Sequence, residues 1–525
     1  MRSNFVSFQA VRVKLDFRLF CCVALACSRN FVYNFLMICI PIVGPTQEKS
    51  IQDIAAAEPL ADLLELRLDL MDEYDLNTLL EASTKPFIVT NRTKLEGGQF
   101  RGSENKRVDI LRKAMDAGAE YVDIEASTSK ELLKPFLESG RKCKIILSYH
   151  NFTDTPEELA HLYELMCEMP ADVIKIVTYA RDITDNLALF NLLSRAKRDG
   201  KKLIALCMGE RGEISRILSP LLGGFLTFGS LETGKESAPG QITAVTLKDI
   251  YRVDERREAF KIYGVIGNPV SKSMGYFIHN RAFKEAGLSD IYVPFLADNV
   301  ERFFKAFSPY FEGLSVTMPF KEDIMPILDK TDGTAKKIGA VNTVVRDGED
   351  WKGYNTDCTG SVKVLEQYTE LSGKNVLIIG AGGTAKAIGH GVREKGAKVT
   401  VTYYRNKERG LQLAEELGGE AVSIQDAGEI LADVIINCSP VGMNPNVEET
   451  PFPSRHFREG MVVFDSVYNP PETRFIREAE SAGCIAISGI ELFLNQAVGQ
   501  FELWTNREAP ADAMRDVLVK KIKGK

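Results

Sequence analysis

No C-x-x-C pair occurs among the ten cysteines, and no two of the five histidines (His150, His161, His279, His390, His456) stand at metal-ligand spacing. A zinc site and a disulfide framework are therefore set aside, no metal is expected, and the thiols are read as reduced in a cytosol-like compartment. Positive charge is not in excess either. The net charge is −7, which gives no general attraction for polyanions, and no basic segment of the nucleic-acid-contacting kind is present. Long apolar runs are missing too. In the cationic, apolar segment 1–36 the longest is Leu19–Cys27, well short of the roughly 20 residues that cross a bilayer, so no membrane span is expected. That segment reads either as an over-extended start, with Met37 the initiator, or as a targeting leader. The expected location is cytoplasmic, or a plastid if the leader reading holds.

What is present is globular. A hydrophobic content of 45% and a charged content of 26% are ordinary, and the length calls for about two to four domains. Oligomeric state is not legible. The strongest local signal is Val376–Ala387, VLIIGAGGTAKA, in which an apolar strand runs into Gly380-Ala381-Gly382-Gly383-Thr384-Ala385 and then a small-residue helix. This is G-x-G-x-x-A between strand and helix, the context that marks a dinucleotide site rather than a plain turn. Gly380 permits the tight turn, Gly382 lets backbone N–H groups approach a pyrophosphate, and the helix N-terminus faces the anion. After the next strand, Lys398–Tyr404, an NAD site usually places an acid. Here the chain reads Arg405-Asn406-Lys407-Glu408-Arg409, and cations suit a 2′-phosphate, so NADP is expected, with Arg405, Asn406 and Arg409 around it.

In the first half, short apolar strands recur at Ile38–Val43, Leu63–Leu68, Phe87–Asn91, Tyr121–Glu125, Lys144–His150, Val173–Thr178, Leu203–Met208 and Phe225–Phe228, with helical stretches between most of them. Eight strands alternating with helices over about 210 residues predict a (β/α)8 barrel. Charges interrupt these strands. Glu65, Arg67 and Asp69 share a face, as do Asp123 and Glu125. Arg92 follows the third strand, His150 closes the fifth, Lys175 lies inside the sixth, and Arg216, Ser237 and Gln241 follow the last two. They should meet at the C-terminal mouth of the barrel. An amine among apolar neighbours is pushed towards neutrality and attacks carbonyls. Lys175 fits that description, and equally a lysine snorkelling from a strand end.

These stretches, among them Glu65-Leu-Arg67-Leu-Asp69, Arg92-Thr-Lys-Leu-Glu96-Gly-Gly, Ser148-Tyr-His150, Val173-Ile-Lys175-Ile and Ser237-Ala-Pro-Gly-Gln241, resemble type I 3-dehydroquinate dehydratase. The resemblance implies that Lys175 forms an imine with the substrate ketone, that His150 moves protons, and that Glu65 helps to orient His150. It also implies that Arg67, Arg92, Arg216, Ser237 and Gln241 hold the carboxylate and hydroxyls. Asn151, where an aspartate is common, is a small departure.

Residues 251–259 are charged and read as a short linker. From Phe260 the pattern restarts as a small α/β domain (260–358), then a Rossmann domain (359–500) and a helical segment (501–525). Met318–Lys321 is expected to open a helix, and Asp347-Gly348 to turn a hairpin. Ser271 and Ser273 at a helix start read as caps or as carboxylate ligands. Lys321 and Asp357 read as a surface ion pair or as a proton-transfer couple. The stretches Gly267-Asn-Pro-Val-Ser271-Lys-Ser273, Ser315-Val-Thr317-Met-Pro-Phe-Lys321, Gly339-Ala-Val-Asn342-Thr, Gly353-Tyr-Asn355-Thr-Asp357 and Gly489-Ile-Glu-Leu-Phe-Leu-Asn-Gln496 resemble shikimate dehydrogenase. By that resemblance Ser271 and Ser273 bind the substrate carboxylate, and Thr317, Asn342, Asn355, Tyr468 and Gln496 bind the rest of it. Lys321 and Asp357 are then the catalytic pair, and the nicotinamide rests near Gly442, Met443 and Gly489. Met274, Phe320 and Asn406 depart from the family pattern. The combined expectation is an α/β chain, a barrel followed by a two-lobed dehydrogenase, catalysing two successive steps on small molecules. The alternatives are one active half, quinate as the second substrate, or a metabolite sensor built from retired enzyme domains.

Overall fold

The computed structural model describes residues 37–138, 140–255, 259–271, 273–404 and 406–524. The first half is a curled sheet of eight strands: β1 (Ile38–Ile42), β2 (Leu63–Arg67), β3 (Phe87–Thr90), β4 (Tyr121–Glu125), β5 (Lys144–His150), β6 (Val173–Tyr179), β7 (Leu203–Met208) and β8 (Thr227–Ser230). They run parallel in the order β7-β6-β5-β4-β3-β2-β1-β8, and β8 is extended by the short β9 (Ile242–Thr243). Burial on both faces explains why the strands read as continuous apolar runs. Cys39, Leu63, Ile88, Tyr121, Ile146, Val173, Ile204 and Phe228, one from each neighbourhood of the ring, form a single apolar cluster that fills the interior. Among the described residues no ladder joins β7 to β8, and the seam is bridged by Phe225 N–H donating to Leu203 O at 2.8 Å. The eighth strand starts two residues later than expected. Phe225 and Leu226 turn into the interior cluster, and pairing with β1 begins only at Thr227, opposite Ile38.

The expected linker is partly core. Tyr251 and Val253 are each 1% exposed, and the Tyr251 ring stacks on Tyr276 at 5.9 Å. The apolar side chains at these positions, hidden among charges in the sequence, pull the segment inward. Residues 256–258 lie outside the described set. A second sheet follows, built from β10 (Ile262–Gly267), β11 (Ile291–Leu296), β12 (Gly313–Val316), β13 (Lys330–Thr331), β14 (Thr343–Asp347) and β15 (Asp350–Tyr354), in the order β11-β10-β12-β14-β15-β13. β14 and β15 form the expected antiparallel hairpin, with Gly348 at φ +67° in its turn. The helix expected from Met318 does not form. The carbonyls of Met318 and Lys321 accept instead from Asn268 N–H (3.0 Å) and Val341 N–H (2.8 Å), so the segment is held as turns between neighbouring strands. One bond of the α-helical kind occurs there, Ile324 N–H to Phe320 O at 3.0 Å, and a 3₁₀ turn follows at Met325–Ile327.

The third sheet is all parallel: β16 (Asn375–Ile379), β17 (Lys398–Tyr403), β18 (Glu420–Ser423), β19 (Val434–Asn437), β20 (Val462–Asp465) and β21 (Ile485–Ile487). Its order, β18-β17-β16-β19-β20-β21, reverses direction after β16, which places the switch-point crevice at the glycine loop. The helix Gly489–Thr505 leaves this sheet and runs back to the second one, where Trp504 Nε1 donates to Val344 O at 3.0 Å. The helix Ala511–Ile522 then packs on the helix Gly275–Glu285 through Met514 and Leu518. The C-terminal segment therefore shares the core of the substrate lobe. No helix among the described residues is long and apolar enough to cross a membrane.

Both tryptophans, Trp351 and Trp504, are buried in the second lobe. Trp351 packs edge-on against Phe304 at 5.2 Å within a cluster that includes Phe295, Phe303 and Phe311. Phe303→Ala is expected to cost about 3–5 kcal/mol in that lobe. The tryptophan fluorescence transition in urea should shift to lower denaturant than in the unsubstituted chain, because both tryptophans report on this lobe.

Candidate active sites

Glu65, Arg67, Arg92, His150, Lys175, Arg216, Ser237 and Gln241 all line one cleft at the C-terminal mouth of the barrel. Parallel register explains the convergence: Ser148 on β5 lies opposite Lys175 on β6, and Glu65 on β2 opposite Ile88 on β3. Lys175 is 5% exposed, and its Nζ donates to Asp123 Oδ2 at 2.9 Å. Glu65 Oε1 is 3.7 Å away, and the Phe228 ring centroid lies 4.5 Å from the amine. The amine's immediate partners are thus carboxylates, as the expected meeting of the strand charges at the mouth requires, with apolar Phe228 beside them. The sequence places apolar residues beside Lys175 along β6, but its side chain points across the barrel to β4.

Asp123 also holds Arg92, Nη2 to Oδ1 at 2.8 Å, and accepts from Ser148 Oγ at 2.6 Å. Burial alone would raise this carboxyl, but Arg92 and Lys175 hold it far below the usual carboxylate range. Arg92 further pairs with Glu125 at 3.1 Å, and Glu125 with the fully buried Arg107 at 2.5 Å. Arg67 is spent on Asp69 in a two-pronged pair, at 2.9 and 2.8 Å.

His150 is not oriented by Glu65, which instead accepts from Thr90 Oγ1 at 2.7 Å. Its partner is Glu96, whose Oε2 lies 3.0 Å from both the ring Nδ1 and the backbone N–H of His150. The turn Lys94–Glu96, ended by Gly97 at φ +81°, folds Glu96 back into the mouth. A Cβ on Gly97 would sit 2.1 Å from the Phe152 ring, so only glycine fits there. Burial, reinforced by the charges of Arg92 and Lys175, pushes His150 well below its ordinary value and keeps the imidazole neutral. Burial raises Glu96 to about 7, with Arg92 pulling the other way. Glu96 and Asp123 are the functional residues the sequence reading left without a role, although both stand in stretches it singled out.

Arg216 is 2% exposed and donates through Nη2 to Pro239 O at 3.2 Å, while its Nε has no partner. Burial lowers it to about 10. A buried guanidinium with spare donors is costly unless an anion meets it, and a substrate carboxylate would do so. Gln241 accepts from Ser237 N–H at 2.7 Å and donates back to Ser237 Oγ at 3.2 Å.

In the dehydrogenase lobes, Lys321 Nζ donates to Asp357 Oδ2 at 2.6 Å. Asp357 stands in the first turn of the helix Thr356–Leu365, but Lys321 lies in the turns described above and not at a helix start. Asn355 caps that helix, its Oδ1 accepting from Cys358 N–H at 3.0 Å while its Nδ2 donates to Ala340 O at 3.0 Å. Asn342 Oδ1 accepts from Thr356 N–H at 2.7 Å. Gln496 sits beside this helix: a Cβ on Gly360 would lie 2.9 Å from its backbone nitrogen. Thr317 follows β12 and is half-buried beside Gly267. Ser271 is exposed, and Ser273 accepts from Gly275 N–H at 3.2 Å. Tyr468 packs on Phe493 at 4.8 Å. Only Lys321 and Asp357 of this set touch each other directly among the described contacts.

The glycine loop fits a dinucleotide. Gly380 has φ +107°, and a Cβ on Gly382 or Gly383 would meet nothing within 4 Å. The space over the first turn of the helix Gly383–Glu394 is therefore open, and no side chain caps it. Ala381 and Thr384 are half-buried beside it. Gly442 has φ +87°, Met443 is 46% exposed, and a Cβ on Gly489 would sit 2.2 Å from Val467 O. Asn406 spends its Oδ1 capping the helix Lys407–Glu416, accepting from Arg409 N–H at 2.9 Å, and the Arg409 side chain is exposed. Arg405 lies outside the described residues.

A lysine and a histidine in the mouth of a parallel barrel, joined in one chain to a lysine–aspartate pair and a Rossmann glycine loop, is the architecture of a lyase fused to a nicotinamide-dependent dehydrogenase. Family models agree: type I 3-dehydroquinase matches residues 38–258, the shikimate dehydrogenase substrate binding domain 265–344, shikimate/quinate 5-dehydrogenase 363–465, and the shikimate 5′-dehydrogenase C-terminal domain 489–519. A chloroplastic bifunctional 3-dehydroquinate dehydratase/shikimate dehydrogenase of Arabidopsis thaliana is 41% identical over 94% of this chain and 86% of its own length. A shikimate biosynthesis protein of Chlamydia pneumoniae is 32% identical over 89% of this chain and 95% of its own. An NADP(+) shikimate dehydrogenase of Methanothermobacter thermautotrophicus is 39% identical over 49% of this chain and 95% of its own. The chain belongs to the family of bifunctional 3-dehydroquinate dehydratase/shikimate dehydrogenases.

The Glu96–His150 contact sets a pH dependence. Above about 7 the ionised Glu96 accepts from Nδ1–H and leaves Nε2 free as a base. Below it the protonated carboxyl donates to Nδ1, and the ring then carries its proton on Nε2. The kcat of the barrel reaction should fall as pH drops through about 7. In Glu96→Gln, kcat should be lower by about 10² and that limb should vanish, as stopped-time dehydration assays from pH 5.5 to 8.5 (roughly the range in which this chemistry titrates) would record.

Proposed function

We propose that the barrel dehydrates 3-dehydroquinate to 3-dehydroshikimate and that the second half reduces this product to shikimate with NADPH. The observation that carries the reading is the placement of Lys175, His150 and the spare donors of Arg216 in one cleft. In the first step the Lys175 amine, its proton passed to a neighbouring carboxylate, attacks the substrate ketone. Water leaves and an imine forms. His150 takes a proton from the carbon beside the imine and returns it to the departing hydroxyl, so that a second water is lost. Hydrolysis of the imine releases the enone and restores the lysine. Arg67, Arg92, Arg216, Ser237 and Gln241 are assigned to the substrate's carboxylate and hydroxyls, and Glu65 to the amine.

In the second half, Gly380, Ala381, Gly382, Gly383 and Thr384 would hold the pyrophosphate, Arg405, Asn406 and Arg409 the 2′-phosphate, and Gly442, Met443 and Gly489 the nicotinamide end. The cofactor, when bound, supplies the hydride. Lys321 gives the proton that the new alkoxide needs, and Asp357 holds Lys321 in place and charged. Ser271 and Ser273 are assigned to the carboxylate, and Thr317, Asn342, Asn355, Tyr468 and Gln496 to the ring. Shikimate is preferred over quinate because both serines are present. The compartment proposed is the cytoplasm. The chloroplastic relative supports a plastid instead if 1–36, outside the described residues, proves to be a leader.

The wild-type chain given dehydroquinate and NADPH should yield shikimate. Lys175→Ala should lose that flux while oxidising shikimate with NADP⁺ at the wild-type rate, and borohydride with dehydroquinate should leave an adduct on wild type but none on the variant. An adduct persisting in Lys175→Ala would refute the imine. For the cofactor, Arg405→Ala should raise the KM for NADPH about tenfold or more, the worth of one charge-assisted phosphate contact, with little change for NADH. Equal effects on both would remove the 2′-phosphate assignment.

A further inference from the structure

The substrate lobe holds a buried polar chain that ends on Asn342 and whose other members none of these roles uses. Its centre is Gln500, 2% exposed, on the helix Gly489–Thr505 one turn beyond Gln496. The amide is committed on every side. Its Oε1 accepts from Ser315 Oγ at 2.9 Å and meets His279 Nε2 at 3.2 Å. Its Nε2 donates to Thr343 Oγ1 at 3.2 Å and to the backbone carbonyl of Asn342 at 3.4 Å. Because a carbonyl oxygen only accepts, the face towards Asn342 must be the amide nitrogen, and His279 must carry its proton on Nε2. Burial lowers His279 to about 3, so this donor stays neutral, with its Nδ1 unpartnered.

The chain runs in one direction at the Tyr292 end; at the other, Thr343 Oγ1 also meets Thr356 Oγ1 at 3.0 Å, where either hydroxyl can donate, and both routes end on Asn342 Oδ1. Tyr292 OH donates to Ser315 Oγ at 2.7 Å, and Ser315 passes its own proton to Gln500. On the other side Thr343, receiving from Gln500, donates to Asn342 Oδ1 at 2.8 Å. That oxygen also accepts from Thr356 N–H at 2.7 Å and lies 3.2 Å from Thr356 Oγ1. Asn342 Oδ1 is thereby saturated, and the hydrogen-bonding capacity left to the side chain is its Nδ2 donor. Ser315 and Thr343 are register partners on β12 and β14. Thr317 is two residues beyond the first, and Asn342 immediately precedes the second.

We propose that Gln500 is a positioning residue of the dehydrogenase site: by bridging Ser315 and Thr343 it fixes the strand end before Thr317 and commits Asn342 to offer Nδ2 as a donor to a substrate hydroxyl. The proposal rests on the assignment of this cleft to shikimate. Gln500 touches no reacting atom, so its loss acts on binding and spares the chemical step. Its titratable neighbours are His279, on the helix Gly275–Glu285, and Tyr292, on β11.

The test uses the full chain, with dehydroquinate dehydration as an internal measure of intact protein. Gln500→Leu should raise the KM for shikimate about tenfold or more, with kcat, the KM for NADP⁺ and dehydration each within about twofold of wild type. Gln500→Glu adds a readout that mere damage would not give. Its ionised carboxylate cannot donate to Thr343 or to the Asn342 carbonyl, whereas its protonated form can. The KM for shikimate should therefore be high at alkaline pH and return towards the wild-type value on acidification. Unchanged KM values in both variants would overturn the proposal. So would parallel losses in kcat, KM for NADP⁺ and dehydration, or a Glu variant whose KM ignores pH. No shikimate oxidation by the wild-type chain would instead refute the assignment of the cleft, and the proposal with it.

Discussion

The first site depends on one carboxylate. Asp123 is fully buried and faces Arg92 and Lys175 at 2.8 and 2.9 Å. It belongs to a line of alternating charges, Arg107, Glu125, Arg92, Asp123, Lys175 and Glu65, that crosses the barrel mouth. A buried charge left alone costs several kcal/mol, and breaking such a pair costs about 3–5. The line is therefore assembled whole or not at all, and its members come from β2, β4, β6, the end of β3 and the helix Glu104–Asp116. Closing the barrel is what brings them together. This is also why the lysine tolerates an apolar strand: its head group meets Asp123 at 2.9 Å, across the barrel on β4.

The second site solves positioning by other means. Apart from Lys321 and Asp357, the described contacts around Asn342 and Asn355 are neutral amides, backbone groups and hydroxyls. Neutral groups carry a much smaller burial cost than ions, so Asn342 and Asn355 can be buried here, each 3% exposed, without ionic partners. Individually each bond is worth about 0.5–1.5 kcal/mol net, and the value of the network lies in fixing which atom of each amide is left over for a ligand.

The sequence made the architecture legible because both halves rest on period and punctuation. Strand runs buried on both faces gave the eight barrel strands to within a residue or two, and the glycine loop gave the Rossmann lobe. What it hid were effects of tertiary partners. Phe225 and Leu226 look like strand and serve as interior filling. Met318–Lys321 looks like a helix start, yet its carbonyls are claimed by Asn268 and Val341. Glu65 and Glu96 are both acids near motif positions, and nothing local says which one reaches His150. That depends on Gly97 reversing the chain. Gln500 carried no signal at all, since a glutamine inside a helix is usually a surface residue.

How the two halves are joined is decided by magnitude. On the surface, Arg211 of the barrel loop that leads to Arg216 pairs with Asp298 at 2.6 Å, and Asp298 also accepts from Asn268 at 2.9 Å, in the loop that leads to Ser271. The geometry invites the view that this carboxylate links the two sites. Exposed ion pairs, however, contribute about 0–1 kcal/mol, and Asp298 is about half exposed (49%). By contrast, Tyr251 and Val253 are each 1% exposed, and Tyr251 stacks on Tyr276. Burying one such side chain contributes about 1.5–3 kcal/mol. The apolar segment that reads in sequence as a charged linker therefore outweighs the Arg211–Asp298 pair in fixing the halves.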